Sequence, residues 1–321
     1  MDIKALTSLP KYHYYKFNDA EMVPPNGFIN TGAICWFNSM LQALLSLTSL
    51  TEIMLKCEDD FIMKPLGRSY IELIKAINNN EDVSQHNLRV LNAFRDELGN
   101  KKFKFLTSNG QECANEGFIL FIDALKCKRV EHIFESIYRA EIKCPQCGST
   151  KIERVKSIQV PFYTDRNISV DQFTGYLKCH RSDVLDYECP GHDVTVGIED
   201  EPNTKSVVHE RIPIVKVVET AVRHGEVIVV NFNRMFNRKR SYPTTLTFKG
   251  INNTTIKYEL VATIEHSGHV TMNYSSGHYW SRAVRADENG DREWCKLNDS
   301  SANKCDDKIN DSESMLFYHM V

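Results

Sequence analysis

No apolar run in this chain is long enough to cross a bilayer. The richest stretch, Met40 to Leu55, is broken by Gln42, Ser46, Thr48 and Glu52, short of the ~20 consecutive apolar residues that a spanning helix needs. No secretory leader is evident: Asp2 and Lys4 fall among the first ten residues and no apolar segment follows. Charge of one sign is also lacking. The formal net charge is −3, which argues against a general nucleic-acid binder. There is no internal repeat and no low-complexity segment. These absences point to an intracellular globular protein, cytoplasmic or nuclear, with no membrane or nucleic-acid partner. The 42% of apolar residues suffice for a substantial core in one large domain or two. In a reducing compartment the ten cysteines are better read as metal ligands, core residues and one nucleophile than as disulfides.

One of those cysteines stands out. Gly27-Phe28-Ile29-Asn30-Thr31-Gly32-Ala33-Ile34-Cys35 is a short loop ending at Cys35, and Phe37, Met40, Leu41, Leu44 and Leu45 then fall on one helical face. Cys35 is thereby expected at a helix N-terminus. Unpaired N–H groups and the positive end of the helix dipole there favour a thiolate. Asn30, five residues upstream, offers a neutral amide donor suited to an oxyanion.

Most free cysteines are inert core residues, so Cys35 needs a base and an orienting group. His266-Ser267-Gly268-His269, then Gly277-His278-Tyr279-Trp280, then Leu297-Asn298-Asp299-Ser300 provide them. His278 can serve as the base. Asn298 or Asp299 can hold its other ring nitrogen and fix the tautomer.

A second chemical signal is Cys144-Pro145-Gln146-Cys147-Gly148. Two thiolates at this spacing chelate one tetrahedral zinc ion, with Pro and Gly forming the knuckle. Cys189-Pro190-Gly191-His192 repeats the spacing with a histidine in the last place, making a split Cys3His set. Cys179-His180 is a competing source of ligands. Four protein ligands leave no open position, so the zinc would be structural and no catalytic cofactor is implied.

The coarse pattern runs from helices to strands. Residues 1–25 form an extension closed by Pro24-Pro25. Helical patterns occupy 26–126, including Arg68–Ile77 and Gln111–Leu125. Short strand-like runs separate the metal pairs over 139–213. Val227 to Phe232 resembles a buried strand, and Ile256, Tyr258, Leu260, Ala262 and Ile264 alternate as in a half-buried one. The class is α+β, with Cys35 and His278 meeting between a helical lobe and a sheet lobe.

The three segments around Cys35, His278 and Asn298 resemble the cysteine box, histidine box and terminal Asn/Asp element of the ubiquitin-specific proteases, papain-like deubiquitinating enzymes. Gly27, Asn30, Gly32, Ala33, Cys35, Asn38, Ser39, Leu41 and Gln42 match the first box; Phe28, Ile34 and Trp36 depart from it. Leu316-Phe317-Tyr318 resembles the family's last strand. Gln111-Glu112-Cys113-Ala114-Asn115-Glu116-Gly117-Phe118 resembles a further box, with Cys113 in place of an acid and Gly117 in place of an aromatic residue.

The resemblance implies a papain-like fold with a helical thumb (about 26–126), zinc-bearing fingers (about 139–213) and a β-rich palm (about 127–138 and 214–321). It implies a monomeric thiol hydrolase cutting after the C-terminal glycine of ubiquitin. Cys35 would be the nucleophile, His278 the base, Asn298 the third member, Asn30 an oxyanion donor and Asp299 a second support. One structural zinc at Cys144, Cys147, Cys189 and His192 would stand at the fingertip. The rival expectations are a protease for another ubiquitin-like modifier and a catalytically weak ubiquitin-binding scaffold. A zinc-ribbon interaction module would leave the Cys35, His278 and Asn298 set without a purpose.

Overall fold

Apolar spacing in the first part of the chain makes helices with buried faces, and these pack on one side of a strand-rich second part. The computed structural model describes residues 25–61, 63–99, 112–162, 167–189, 192–198, 201–207, 212–232, 241–249, 254–268, 277–287, 289–306 and 312–321, with the backbone alone for 186, 192–198 and 201–207. The extension before residue 25 and Gln111 lie outside the described residues.

The helices of the first part are α1 (Cys35–Leu44), α2 (Thr48–Lys56), α3 (Glu58–Phe61), α4 (Pro65–Asn78), α5 (His86–Leu98), α6 (Ala114–Ala124) and α7 (Lys128–Phe134). α4 begins with Pro65, whose fixed φ and missing N–H suit a first turn, and it buries Tyr70, Leu73, Ile74 and Ile77 as the spacing predicts. α1 is buried at every position, including Asn38, Ser39 and Gln42. It is the central helix, packed against α5, α6 and the main sheet. Its polar side chains must therefore find partners inside the protein.

The strands are β1 (Ser136–Lys143), β2 (Thr150–Ser157), β3 (Val160–Phe162), β4 (Cys179–Tyr187), β5 (His192–Ile198), β6 (Glu201–Val207), β7 (Ile212–Arg223), β8 (Val227–Phe232), β9 (Thr245–Lys249), β10 (Thr255–Ser267), β11 (His278–Ala286), β12 (Arg292–Asn298), β13 (Ser301–Lys304) and β14 (Glu313–Met320). One antiparallel sheet has the order β2-β1-β7-β4. The main sheet runs β13-β12-β11-β10-β14-β8-β3, with β9 also on β10, and β5 and β6 form a separate hairpin. An eighth helix, α8 (Val170–Lys178), interrupts the strand-rich part. It starts at a capping box: the Ser169 hydroxyl accepts from Gln172 N while the Gln172 side chain accepts from Ser169 N.

The core lies on both faces of the main sheet. One face packs on the helices through Val261, Ala262, Ile264, Ala283 and Phe317. The other packs through Leu260, Tyr258, Phe232 and Tyr318 onto Phe173 of α8. β10 is consequently buried almost continuously from Leu260 to His266, not half-buried as its alternation predicts. Helices cover one face and α8 with aromatic neighbours covers the other. Each fully buried Leu or Phe contributes about 1.5–3 kcal/mol. Among the described residues no helix is long and apolar enough to cross a membrane.

Candidate active site

Cys35 is the first residue of α1 and only 4% exposed. Its Sγ accepts a hydrogen bond of 3.5 Å from Tyr279 N on β11, so helix and sheet meet at the sulfur. The helix-terminus argument predicts a lowered thiol pKa, and the structure corrects it. Burial pushes the Cys35 thiol above its ordinary value, the nearby Asp299 charge adds to that, and the backbone N–H groups of Tyr279 and Trp36 only partly offset it.

His278 opens β11, paired with Ser267 of β10. Its Nε2 lies 2.6 Å from Asn298 Oδ1 at the end of β12. A carbonyl oxygen only accepts, so Nε2 carries the hydrogen and Nδ1 is left as the basic nitrogen. Asp299, which follows directly, faces elsewhere. Its Oδ2 accepts from Asn30 Nδ2 at 2.9 Å and its Oδ1 from Asn38 Nδ2 at 2.8 Å. The backbone at Asp299 has φ +49°, a left-handed bend that turns two neighbouring side chains to different partners.

Asn30 is held from both ends. Its Oδ1 accepts from Gly32 N (2.9 Å) and Ile34 N (3.4 Å), which shapes the loop entering α1, while its amide nitrogen is directed by Asp299. Asn38 and Asn87 brace the same loop: both donate to Ile29 O, and Asn87 also donates to Asn38 Oδ1. Phe28 N donates to Asp299 O at 2.6 Å. The two segments run so close that a Cβ at Gly27 would overlap the Ser300 backbone.

Sequence reasoning passed over Arg285. This β11 residue is 1% exposed and donates to the Ser46 hydroxyl (2.6 Å), to Gln42 Oε1 (2.9 Å) and to the Gln42 carbonyl. Gln42 Nε2 in turn donates to Asn26 O at 2.5 Å. A buried cation thus ties β11 to α1 and α1 to the chain before Asn30. Burial lowers its pKa to about 10, so it remains charged at neutral pH. Its inward alternation with Tyr279 and Ala283 was the available signal.

The altered Gln111 box has a steric reason. A Cβ at Gly117 would lie 2.5 Å from Trp36 Cζ3. The larger Trp36, itself a departure from the cysteine box, fills the room that an aromatic residue at 117 would take. Cys113 precedes α6, and burial raises its thiol pKa as it does that of Cys35.

Away from the cleft, Cys144, Cys147 and Cys189 bring their sulfurs within 4.8 Å of one another, and this cluster could hold a metal ion. Cys147 Sγ and Cys189 Sγ are 3.7 Å apart. With Zn–S bonds of about 2.3 Å, tetrahedral sulfurs sit about 3.8 Å from each other, so the spacing fits. The Ser149 hydroxyl and amide push the Cys147 thiol down to about 5. His192 begins β5, and its side chain lies outside the described residues. The competing pair is placed differently: His180 Nε2 lies 3.4 Å from Glu219, its ring stacks on Tyr176, and Cys179 is exposed.

The thiol at the start of α1 accepts from the strand that carries the hydrogen-bonded His278–Asn298 pair, between a helical part and a sheet, an arrangement that a cysteine hydrolase can use. The family model for ubiquitin carboxyl-terminal hydrolase matches residues 26–318, and the chain belongs to that family. It is a cysteine-type ubiquitin hydrolase, a deubiquitinase. Among solved structures it is similar to a chain of the SAGA Ubp8/Sgf11/Sus1/Sgf73 deubiquitinating module bound to ubiquitin aldehyde, with TM-score 0.67, 16% identity, 94% of this chain and 70% of that one covered. The yeast module with a mutant Sgf73 gives TM-score 0.65, 15% identity and coverage of 94% and 70%. The module bound to monoubiquitin gives 0.61, 17%, 92% and 69%. At these identities the likeness is one of fold. No curated protein matches the chain in sequence.

Proposed function

We propose that Cys35, His278 and Asn298 carry the hydrolysis of the isopeptide or peptide bond after the C-terminal glycine of ubiquitin. The observation that carries this reading is the 2.6 Å His278–Asn298 hydrogen bond beside a strand whose next residue, Tyr279, donates to the Cys35 sulfur. His278 Nδ1 takes the Cys35 proton as the sulfur attacks the glycine carbonyl. Asn30 Nδ2 and the Cys35 N–H receive the oxyanion. His278 then protonates the departing lysine amine and activates the water that releases the thioester. Asp299 supports Asn30 rather than His278.

In this reading residues 26–321 are one catalytic domain. Cys144, Cys147, Cys189 and His192 hold one structural zinc, which as a closed four-ligand site stiffens the β1–β2 turn and its partner strands and takes no part in the chemistry. The protein acts as a monomer on ubiquitin conjugates in a reducing compartment, in keeping with ten unpaired cysteines.

Electrophilic C-terminal probes of ubiquitin and of several ubiquitin-like modifiers test the reading. Covalent labelling of Cys35 by the ubiquitin probe alone is expected. Cys35→Ala should abolish cleavage and keep ubiquitin binding. Labelling by a different modifier's probe would redirect the specificity, and cleavage by Cys35→Ala would remove the nucleophile assignment.

A further inference from the structure

Strand β11 grips helix α1 at both ends. At the start of the helix, Tyr279 N donates to Cys35 Sγ at 3.5 Å. At its far end Arg285, on the same face of β11 as Tyr279, donates to the Ser46 hydroxyl at 2.6 Å, to Gln42 Oε1 at 2.9 Å and to the Gln42 carbonyl. Gln42 and Ser46 follow Cys35 by about two and three helical turns, so all three lie along one stripe of the helix and its closing turn. α1 has no basic residue in its own last turn, and the guanidinium supplies the positive charge that the negative end of a helix dipole favours. Its partners are all neutral. Burial holds the neighbouring Tyr70 hydroxyl and Cys295 thiol above their ordinary values, so neither brings a counter-charge at neutral pH.

We propose that Arg285 is a positioning residue, which fixes the axial placement and rotation of α1 against β11 and thereby the place of Cys35 against His278 on that strand. The inference rests on the proposed roles of Cys35 and His278. A buried cation with no carboxylate is a costly way to join two elements, and an apolar side chain of similar volume often serves stability as well. What the guanidinium adds is direction. Its planar fork meets two acceptors of Gln42 and one of Ser46 together, which only one placement of the helix allows. The grip extends further, because Gln42 Nε2 donates to Asn26 O in the segment that leads to Asn30. Nucleophile, base and proposed oxyanion donor are thus referred to one buried side chain that touches none of them.

The test compares Arg285→Met and Arg285→Lys with the parent on a ubiquitin C-terminal fluorogenic substrate, alongside the rate of Cys35 alkylation by iodoacetamide at one fixed pH. Met should lower kcat by at least about tenfold with KM little changed, as expected when reacting groups are misplaced by a fraction of an ångström. Lys keeps a charge at the helix end but offers no fork, so it should regain stability more than kcat. Cys35, less firmly held by Tyr279 N, should react at least about threefold faster with iodoacetamide in Arg285→Met. A kcat within twofold of the parent in a folded Arg285→Met protein overturns the proposal. So does a loss confined to KM, an alkylation rate within twofold of the parent, or full kcat in Arg285→Lys. If Arg285→Met does not fold, Arg285→Lys and Gln42→Met decide by the same limits. If the parent cleaves no ubiquitin substrate, the functional reading fails, and the alkylation rates still report whether Arg285 sets the place of Cys35.

Discussion

Asp299 accepts a 2.9 Å hydrogen bond from the amide of Asn30, a residue 269 positions earlier in the chain. The same carboxylate also accepts from Asn38. Its neighbour Asn298 holds His278. Two adjacent residues thus serve the two sides of the reaction centre, one the proposed base and the other the proposed oxyanion donor.

Asn30→Ala should lower turnover by about 10²–10³, the usual loss for one oxyanion donor, and impair chemistry more than folding. Asp299→Ala should reproduce part of that loss, because Asn30 keeps its amide and loses its direction. It should also destabilise the protein by about 1–3 kcal/mol, since Asn38 is left with an unmet donor. Turnover and urea midpoints measured on both variants check this. Wild-type turnover in a folded Asn30→Ala protein would remove the residue from the mechanism.

The rate of Cys35 alkylation should rise with pH. A thiol pKa raised by burial leaves little thiolate at neutral pH, and its fraction grows about tenfold per unit until the pKa is passed. Iodoacetamide labelling of the free enzyme, followed by mass spectrometry at Cys35, should climb through pH 9 without levelling. A plateau already reached below pH 7 would mean a preformed thiolate–imidazolium pair.

Removal of metal should loosen the small sheet before it touches the chemistry. Elemental analysis is expected to find one zinc per chain, and strong chelation should lower the melting temperature by several degrees. Cys144→Ser and His192→Ser should each release the ion, whereas Cys179→Ser should not. Retention of zinc in His192→Ser would assign the fourth position to another group.

Gly117→Ala should cost about 1–3 kcal/mol, the usual effect of overpacking, because the new methyl group meets the Trp36 ring. Trp36→Tyr in the same chain should recover part of the loss. Additive costs in the double variant would refute the compensation between these two positions.

Much of this was legible in the residues themselves. The helix after Cys35, the Gly-His-Tyr segment and the Cys-x-x-Cys pair each rest on local spacing. What escaped depends on neighbours distant in sequence. The thiol pKa is set by how deeply α1 is buried, and β10 lost its exposed face because α8 packs behind it. Arg285 acquires its role only through α1. The Ser169 and Gln172 capping box was a local signal of α8, overlooked because the strand-like runs around it dominate the segment.

β14 is the latest strand in the sequence, yet it lies inside the main sheet between β10 and β8. A chain interrupted before residue 313 leaves both of those strands with unpaired edges, and the strand bearing His278 without a finished support. Long-range pairing of this kind is slow and comes late in folding. A chain ending before residue 313 is therefore expected to be inactive, and an activity assay on that truncation checks it.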